Sequence, residues 1–501
     1  MPTLNEANVR HLLRRTEIVD RPHRVGDLLA LGSIESAVDD VMNVPANPPS
    51  ASFSGVPADS NWQKGVRLAE HWMDQMATVE HSFGERMAFF WHGHICSELG
   101  KVSSAEAMRE QIDLFRRRGL GPQTDGSDVA DLVKTMSVQV AMLRYLDNDQ
   151  NFANSPNQNF ARELMELFLL GVGNYTEADV EAATAAWTGH TRPRWDIDEY
   201  IFDASRHDDT EQTFLGRTIN AGAPEDGGND TIDVILGLGA PGVGTIPQGA
   251  EKNRGRPADV VAAEFLTFKL WQEFGEAESG GVPAGVGAAM TSALLDNDFA
   301  IRPWVRAMLT HDDFYAASTK VGLVRQPVDF VVSLMIALGL RADEIGLWAM
   351  ERTGQRPLYP PNVSGWKPNG YWVNASAMGA RQGIVQGCIW SLIRDTWDGD
   401  DGYIQFGSDP ANRFTRIEIN GRWQDGTEPI PDEEFVDRLF ERVAALGGTL
   451  SGEHGIGLTK APYLDMIFSP EELQLQRDLK HAMDPAAVLN PGKYFSCLLY
   501  T

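Results

Sequence analysis

Three histidines and two glutamates have the side-chain types and the spacing from which chemistry is built. His92 and His94 end the run RMAFFWHGH, and His190 follows Trp187-Thr188-Gly189. Imidazole is the commonest metal ligand and a proton carrier near neutral pH. On a regular helix residues i and i+2 point about 200° apart, so His92 and His94 share an ion only where the helix end is extended. Kept on a helix, His94 falls on the face of Met87 and Phe90 and reads as a hydrogen-bonded core histidine. Glu163 and Glu166 stand about 60° apart on a helical wheel. Glu163 borders the apolar stripe of Phe160, Leu164 and Leu167. A carboxylate there is either paired, with Arg86 or Arg162 as candidates, or has a raised pKa. A centre of His92, Glu163 and His190 is the sharpest expectation; Glu163 with Glu166 is the candidate acid pair, and His92, His94 and His190 are the candidate metal ligands.

Other motifs carry less. His207-Asp208-Asp209 and His311-Asp312-Asp313 place metal-ligand types side by side, but neighbours of this kind more often cap helices or face solvent. The run GLGAPGVG at Gly237–Gly244 has no lysine and no preceding strand, so it is a loop and not a phosphate cradle. No G-x-S-x-G elbow occurs, and Cys96 and Cys388 have no adjacent base. Trp366, Tyr371 and Trp372 either line a ligand cleft or pack a loop core.

The elements that must position these groups are mostly helices. Apolar residues at three- and four-residue steps predict helices over 5–15, through 62–95, and over 105–118 and 157–170. Gly171 is the expected C-cap of the last of these, and Thr176 with Asp179 the capping box of the next. Residues 217–257 are rich in Gly, Pro, Asp and Asn and predict a long loop with one short helix near 230–238. Helices are expected again at 258–273, 286–295, 301–309, 326–338 and 375–394, the last entered from an aromatic loop at 356–381. A polar loop over 395–430, with a short hairpin near 414–423, should lead to amphipathic helices at 431–446 and 470–483.

The composition bounds the function. Asp+Glu number 70 against 43 Lys+Arg, a formal net charge of −27 over 501 residues, which repels phosphate backbones and excludes general nucleic-acid binding. Three cysteines, Cys96, Cys388 and Cys497, cannot form a disulfide framework. No apolar run is long enough to span a membrane. The start, MPTLNE, has no signal pattern, so the chain as written is expected in the cytoplasm, and as exported should a leader lie upstream.

Two resemblances follow from separate motifs. RMAFFWHGH (Arg86–His94), NFARELMELFLLGVG (Asn159–Gly173), Trp187–Gly189 and PPNVSGWKPNGYWVN (Pro360–Asn374), with HLLRR at His11–Arg15, resemble the bacterial family of domain of unknown function 1800. That resemblance extends to about residue 430 and implies a mostly helical fold without assigning an activity. GGTLSGEHGIG (Gly447–Gly457) and DPAAVLNPGK (Asp484–Lys493) resemble the C-terminal end of flavin-linked oxidases of the glycolate and D-lactate dehydrogenase type. This second resemblance implies FAD, with Glu453 and His454 facing substrate as the acid and the histidine. It also implies Gly455, Asn490 and Pro491 near the cofactor. The flavin-binding part that precedes this segment in that family is replaced here by the helical one, and the D-G-N-L-H segment is absent. A segment of about 65 residues buries too little surface to hold a dinucleotide alone.

The expected fold is therefore mainly α: a large multi-helix domain with long loops over residues 1–430 and a small α+β segment over 431–495. The ending SCLLYT at 496–501 fits neither family and predicts a non-native tail, and with it a joining of unrelated sequences by fusion or assembly. Three functions are open on these grounds. The helical part is a binding protein for an unknown protein or small molecule, or a metal- or carboxylate-dependent enzyme, or the whole is a flavin-dependent oxidoreductase of 2-hydroxy acids.

Overall fold

The computed structural model of the chain describes residues 2–121, 127–193, 198–220, 222–276, 281–372, 375–394, 464 and 469–483. Glu453, His454, Gly455, Asn490 and Pro491 lie outside the described residues, as do the expected helix at 431–446, the hairpin near 414–423 and the ending at 496–501. The chain divides into two compact units, Met1–Ala380 and Arg381–Thr501.

In the first unit, α1 (Glu6–Thr16), α2 (Pro22–Ala30) and α3 (Ile34–Val41) lead to α4 (Asn61–Thr78) and α5 (Phe83–His94). Next come α6 (Leu99–Val102), α7 (Ala105–Arg118), α8 (Val129–Ser137), α9 (Val140–Tyr145), α10 (Asn159–Glu163) and α11 (Glu177–Ala186). Two antiparallel two-stranded sheets follow, β1 (His190–Thr191) with β2 (Ile201–Phe202), and β3 (Gln212–Phe214) with β4 (Arg217–Ile219). Then α12 (Gly227–Leu236), α13 (Ala258–Phe274), α14 (Ala284–Leu295) and α15 (Ile301–Leu309) are joined by α16 (Ala317–Val321) and α17 (Pro327–Leu338). The short α18 (Ala342–Ile345) and α19 (Trp348–Thr353) precede α20 (Ala375–Arg394). The fold is mainly α, as the hydrophobic periodicity predicts.

The helical pattern read through 62–95 is two helices. His81 sits in the left-handed region (φ 58°), which ends any continuous helix between α4 and α5. α5 is also buried nearly all round, from Phe83 and Met87 to Phe90, Trp91 and His94. A helix enclosed on every side is a core helix and has no solvent stripe.

The segment after α10 departs from α geometry. Leu164–Leu169 form a π turn, with the Leu170 amide donating 2.8 Å to the Met165 carbonyl. One extra residue in the turn rotates the following face. Met165 and Leu169 become buried, while Leu167, expected in the stripe, is half-buried. Gly171 then ends the helix in the left-handed conformation (φ 85°), and the Thr176–Asp179 capping box opens α11, both as expected.

Residues 217–257 hold more structure than a loop with one helix. β3 and β4 form a hairpin across Leu215 (φ 47°) and Gly216 (φ 76°). Two positive φ values in a two-residue turn match the twist of a hairpin, and a leucine in the first place hides the signal. In the second unit, the helix Pro470–Met483 forms over the predicted residues. Ser469 caps it: its amide donates 2.8 Å to Glu472 Oε2 and its hydroxyl accepts from the Glu472 amide at 3.2 Å.

The aromatic loop at 356–372 is fixed on the end of α5. Leu358 accepts from the Leu99 amide at 3.0 Å, and Trp366 stacks on Phe89 at 5.3 Å with a 12° tilt. Gly365 makes this approach possible: its φ is 74°, and a Cβ there would lie 2.0 Å from the Gly93 carbonyl oxygen. Gly365→Ala is expected to cost at least about 1–2 kcal/mol from the left-handed backbone alone. A thermal melt lowered relative to an exposed Gly→Ala control at Gly379 checks this.

Candidate functional site

The three histidines of the sequence expectation are each held inside the fold. His92 Nε2 accepts from the Leu358 amide at 3.2 Å, and its ring lies 5.6 Å from both Trp72 and Trp366. His94 Nε2 stands 2.9 Å from the Phe168 carbonyl, so it donates, and the ring stacks on Phe90 at 5.7 Å. His190, on β1, pairs through Nδ1 with the Tyr200 hydroxyl at 3.0 Å. Among the described residues no three His, Cys, Asp or Glu side chains stand where they could share a metal ion. Burial pushes the pKa of His92 and of His94 down to about 3 and that of His190 to about 4.

The glutamate pair has another setting. Glu163 and Glu166 are half-buried at the start of the π turn. The Tyr175 hydroxyl donates to Glu166, and burial, then the charge of Glu166, raises the Glu163 pKa. Neither takes the arginines considered as partners. Arg162 pairs with Glu177 at 2.9 Å and Arg86 with Asp329 at 2.8 Å. His207 and His311 are structural: His207 Nε2 meets Asn220 Oδ1 at 3.1 Å, and His311 accepts the Asp313 amide at 3.1 Å.

A second group of residues forms a cavity of about 400 Å³ within the first unit. Its wall carries Arg10, Arg14 and Arg15 from α1, Arg86 from α5, and Lys320 and Arg325 from either side of α16's end. Glu273 near the end of α13 and Asp329 in α17 are the acids. The cations are not all balanced in the same way. Arg10 and Arg14 share Asp20 at 2.7 and 3.0 Å, and Arg86 takes Asp329. Arg15 donates 2.7 Å to the Thr319 carbonyl, and Lys320 donates 2.6 Å to Asn8 Oδ1. These two charges are held by neutral oxygens. Burial and the nearby Arg86 push the Arg15 pKa down to about 10. His11, on the same wall, lies 4.8 Å from the Phe314 ring, and its Nε2 is buried with no hydrogen-bond partner. Burial and Arg15 push its pKa down to about 3.

Glu273 is the unusual acid. Its Oε1 accepts 2.5 Å from Gln326 Nε2 and stands 3.7 Å from Arg86. It is deep in the protein, yet 22% of its side chain is accessible, because it faces the cavity. Burial raises its pKa to about 7 against the pull of Arg86. The sequence reading missed this site because its charges come from α1, α5 and α13 and from the stretch around residue 325. The only local signal was the basic cluster of α1 itself.

The buried histidines set an acid limit on the fold. His11, His92 and His94 stay neutral in the folded state down to about pH 3, whereas an unfolded chain takes up their protons below about pH 6.5. Their contribution is complete above pH 6.5 and is lost as the pH falls, by up to about 1.4 kcal/mol per unit for each histidine. Chemical unfolding measured from pH 7.5 to 4.5 should show this slope, and His94→Gln, which keeps a donor for Phe168, should reduce it.

Comparison with known proteins finds two segments with relatives. Residues 11–240 match the family model described as Protein of unknown function (DUF1800), and residues 423–494 that of FAD linked oxidases, C-terminal domain. Similar curated proteins include the glycolate oxidase subunit GlcD of Bacillus subtilis, 47% identical over 64 residues, 13% of this chain and 14% of that protein. A D-lactate dehydrogenase of Archaeoglobus fulgidus is 47% identical over 60 residues, 12% of this chain and 13% of that protein. A D-2-hydroxyglutarate dehydrogenase of Xanthomonas citri is 47% identical over 63 residues, 13% of each. The chain thus spans about a seventh of the length of these relatives. No solved structure matches. In order along the chain, residues 11–240 are similar to the DUF1800 family and residues 423–494 to the C-terminal domain of FAD linked oxidases.

Proposed function

We propose that the helical unit binds a small anionic ligand in the cavity walled by α1, α5, α13 and α17. One observation carries the reading: Arg15 and Lys320 face the cavity with neutral oxygens as their hydrogen-bond acceptors. The largely buried Arg15 guanidinium has a neutral oxygen as its hydrogen-bond acceptor, with Asp329 and Glu273 acting on it only through space, and an anion between it and Lys320 offsets the cost of its burial. Glu273 is the group in this cavity that exchanges a proton near neutral pH. A ligand with a hydroxyl or a second acidic group has in Glu273 a partner that can accept or donate. Of the functions open to the helical part, this is a binding protein for a small molecule, and any acid–base chemistry rests on Glu273 before Glu163 and Glu166.

The cofactor implied by the C-terminal likeness is FAD, and Glu453, His454, Gly455, Asn490 and Pro491 would face it or its substrate if the likeness held to function. We propose that this segment does not hold flavin by itself. Its match amounts to about a seventh of the flavin-linked relatives. In the helical unit, α12 follows β4 in the chain. Glu225, Asp226 and Asp230 stand at that helix start and oppose a phosphate.

Titration calorimetry with inorganic phosphate and with acetate at low ionic strength tests the first proposal. Binding in the millimolar range or tighter is expected, with at least a tenfold loss in Lys320→Gln. Absence of binding, or binding unaffected by that change, would count against it. Incubation with FAD followed by gel filtration tests the second. A colourless protein peak is expected, and a stoichiometric flavin absorbance in that peak would restore the reading as an oxidoreductase of 2-hydroxy acids.

A further inference from the structure

A second cavity of about 260 Å³ lies against the first, and the two share Gln272, Glu273, Gln326 and Pro368 as wall. Its character differs. Phe89, Phe90, His94 and Trp366 line it, with Lys269 and Lys367 beside them. Trp366 lies flat on Phe89 at 5.3 Å, so the loop and α5 together present an aromatic wall. The shared wall is fixed. Gln326 donates to Glu273 at 2.5 Å, Gln355 donates to Gln326 at 2.6 Å, and Gln355 accepts the Val328 amide at 2.9 Å. This chain of amides holds Glu273 at the boundary between a cationic chamber and an aromatic one.

We propose that the two cavities are halves of one site, whose ligand is an anion joined to an aromatic ring. This rests on the anion-binding reading above. The charged end lies toward Arg15 and Lys320, the ring lies against Trp366, and Glu273 meets the ligand where the two ends join. An apolar ring gains by leaving water for such a wall, and stacking adds to the gain. A carboxylate and a phosphate monoester are alike here, since each suits a guanidinium partner.

Calorimetry on the full chain tests the inference with two pairs of probes: inorganic phosphate against 2-naphthyl phosphate, and acetate against 2-naphthoate. The naphthyl compound of at least one pair is expected to bind at least tenfold tighter than its head group alone, with one molecule per chain. The pair that shows the gain identifies the head group. Trp366→Leu should collapse that ratio, and Trp366→Phe, which keeps a ring, should preserve most of it. If neither head groups nor naphthyl compounds bind, the anion-binding reading falls and this inference with it. If head groups bind but the naphthyl compounds bind no tighter, or bind as two molecules, the inference is overturned and the anion-binding reading stands. A ratio that survives in a folded Trp366→Leu protein overturns it as well.

Discussion

The enclosure of α5 is the constraint on which the first unit depends. Its polar groups have almost no access to water, and most are satisfied by another segment, His92 Nδ1 being the exception. Glu85 takes Arg116 of α7 at 2.7 Å, and Arg86 takes Asp329 of α17. Trp91 donates 2.8 Å to the Gly119 carbonyl after α7. His92 accepts from the aromatic loop at Leu358, and His94 reaches the π turn at Phe168. Five contacts on one helix thus set the places of α7, α17, the loop and the π turn after α10. A buried ion pair adds little net stability over an apolar pair, but a mismatched partner is expensive, so such contacts select one arrangement among several.

This explains why two histidines that looked like ligands serve the fold. An imidazole inside a helical core can act as acceptor at one nitrogen and donor at another, and His92 and His94 show one of each. The charged groups that α5 and α13 turn toward the first cavity are instead Arg86 and Glu273.

Local patterns were legible wherever periodicity and caps agreed. The helices at 105–118, 301–309, 375–394 and 470–483 stand where their apolar spacing and flanking residues place them. Features set by a single backbone conformation were not legible: the break at His81, the hairpin turn at Leu215-Gly216 and the π turn after Glu163. Each depends on a φ value or a hydrogen-bond register that many sequences could adopt, and tertiary packing decides it. The cationic cavity was out of reach for a different reason. Arg15 and Arg325 are separated by most of the unit, and no one-dimensional pattern brings them to one wall. The two family segments, in contrast, were visible as motifs, and the family models find them in the same order.

The cavity's sign is opposite to that of the chain that contains it. The chain carries a net charge of −27, while the chamber is lined by arginines. An approaching anion therefore meets repulsion at a distance and attraction only at close range. Dissolved ions screen charges beyond about 8 Å at physiological strength, so they weaken the distant repulsion more than the enclosed attraction. Capture of an anion by this protein would then quicken as salt is first added, the reverse of ordinary electrostatic steering. The outer charge would act as a kinetic filter, slowing polyanions most and favouring compact ligands that carry one or two charges.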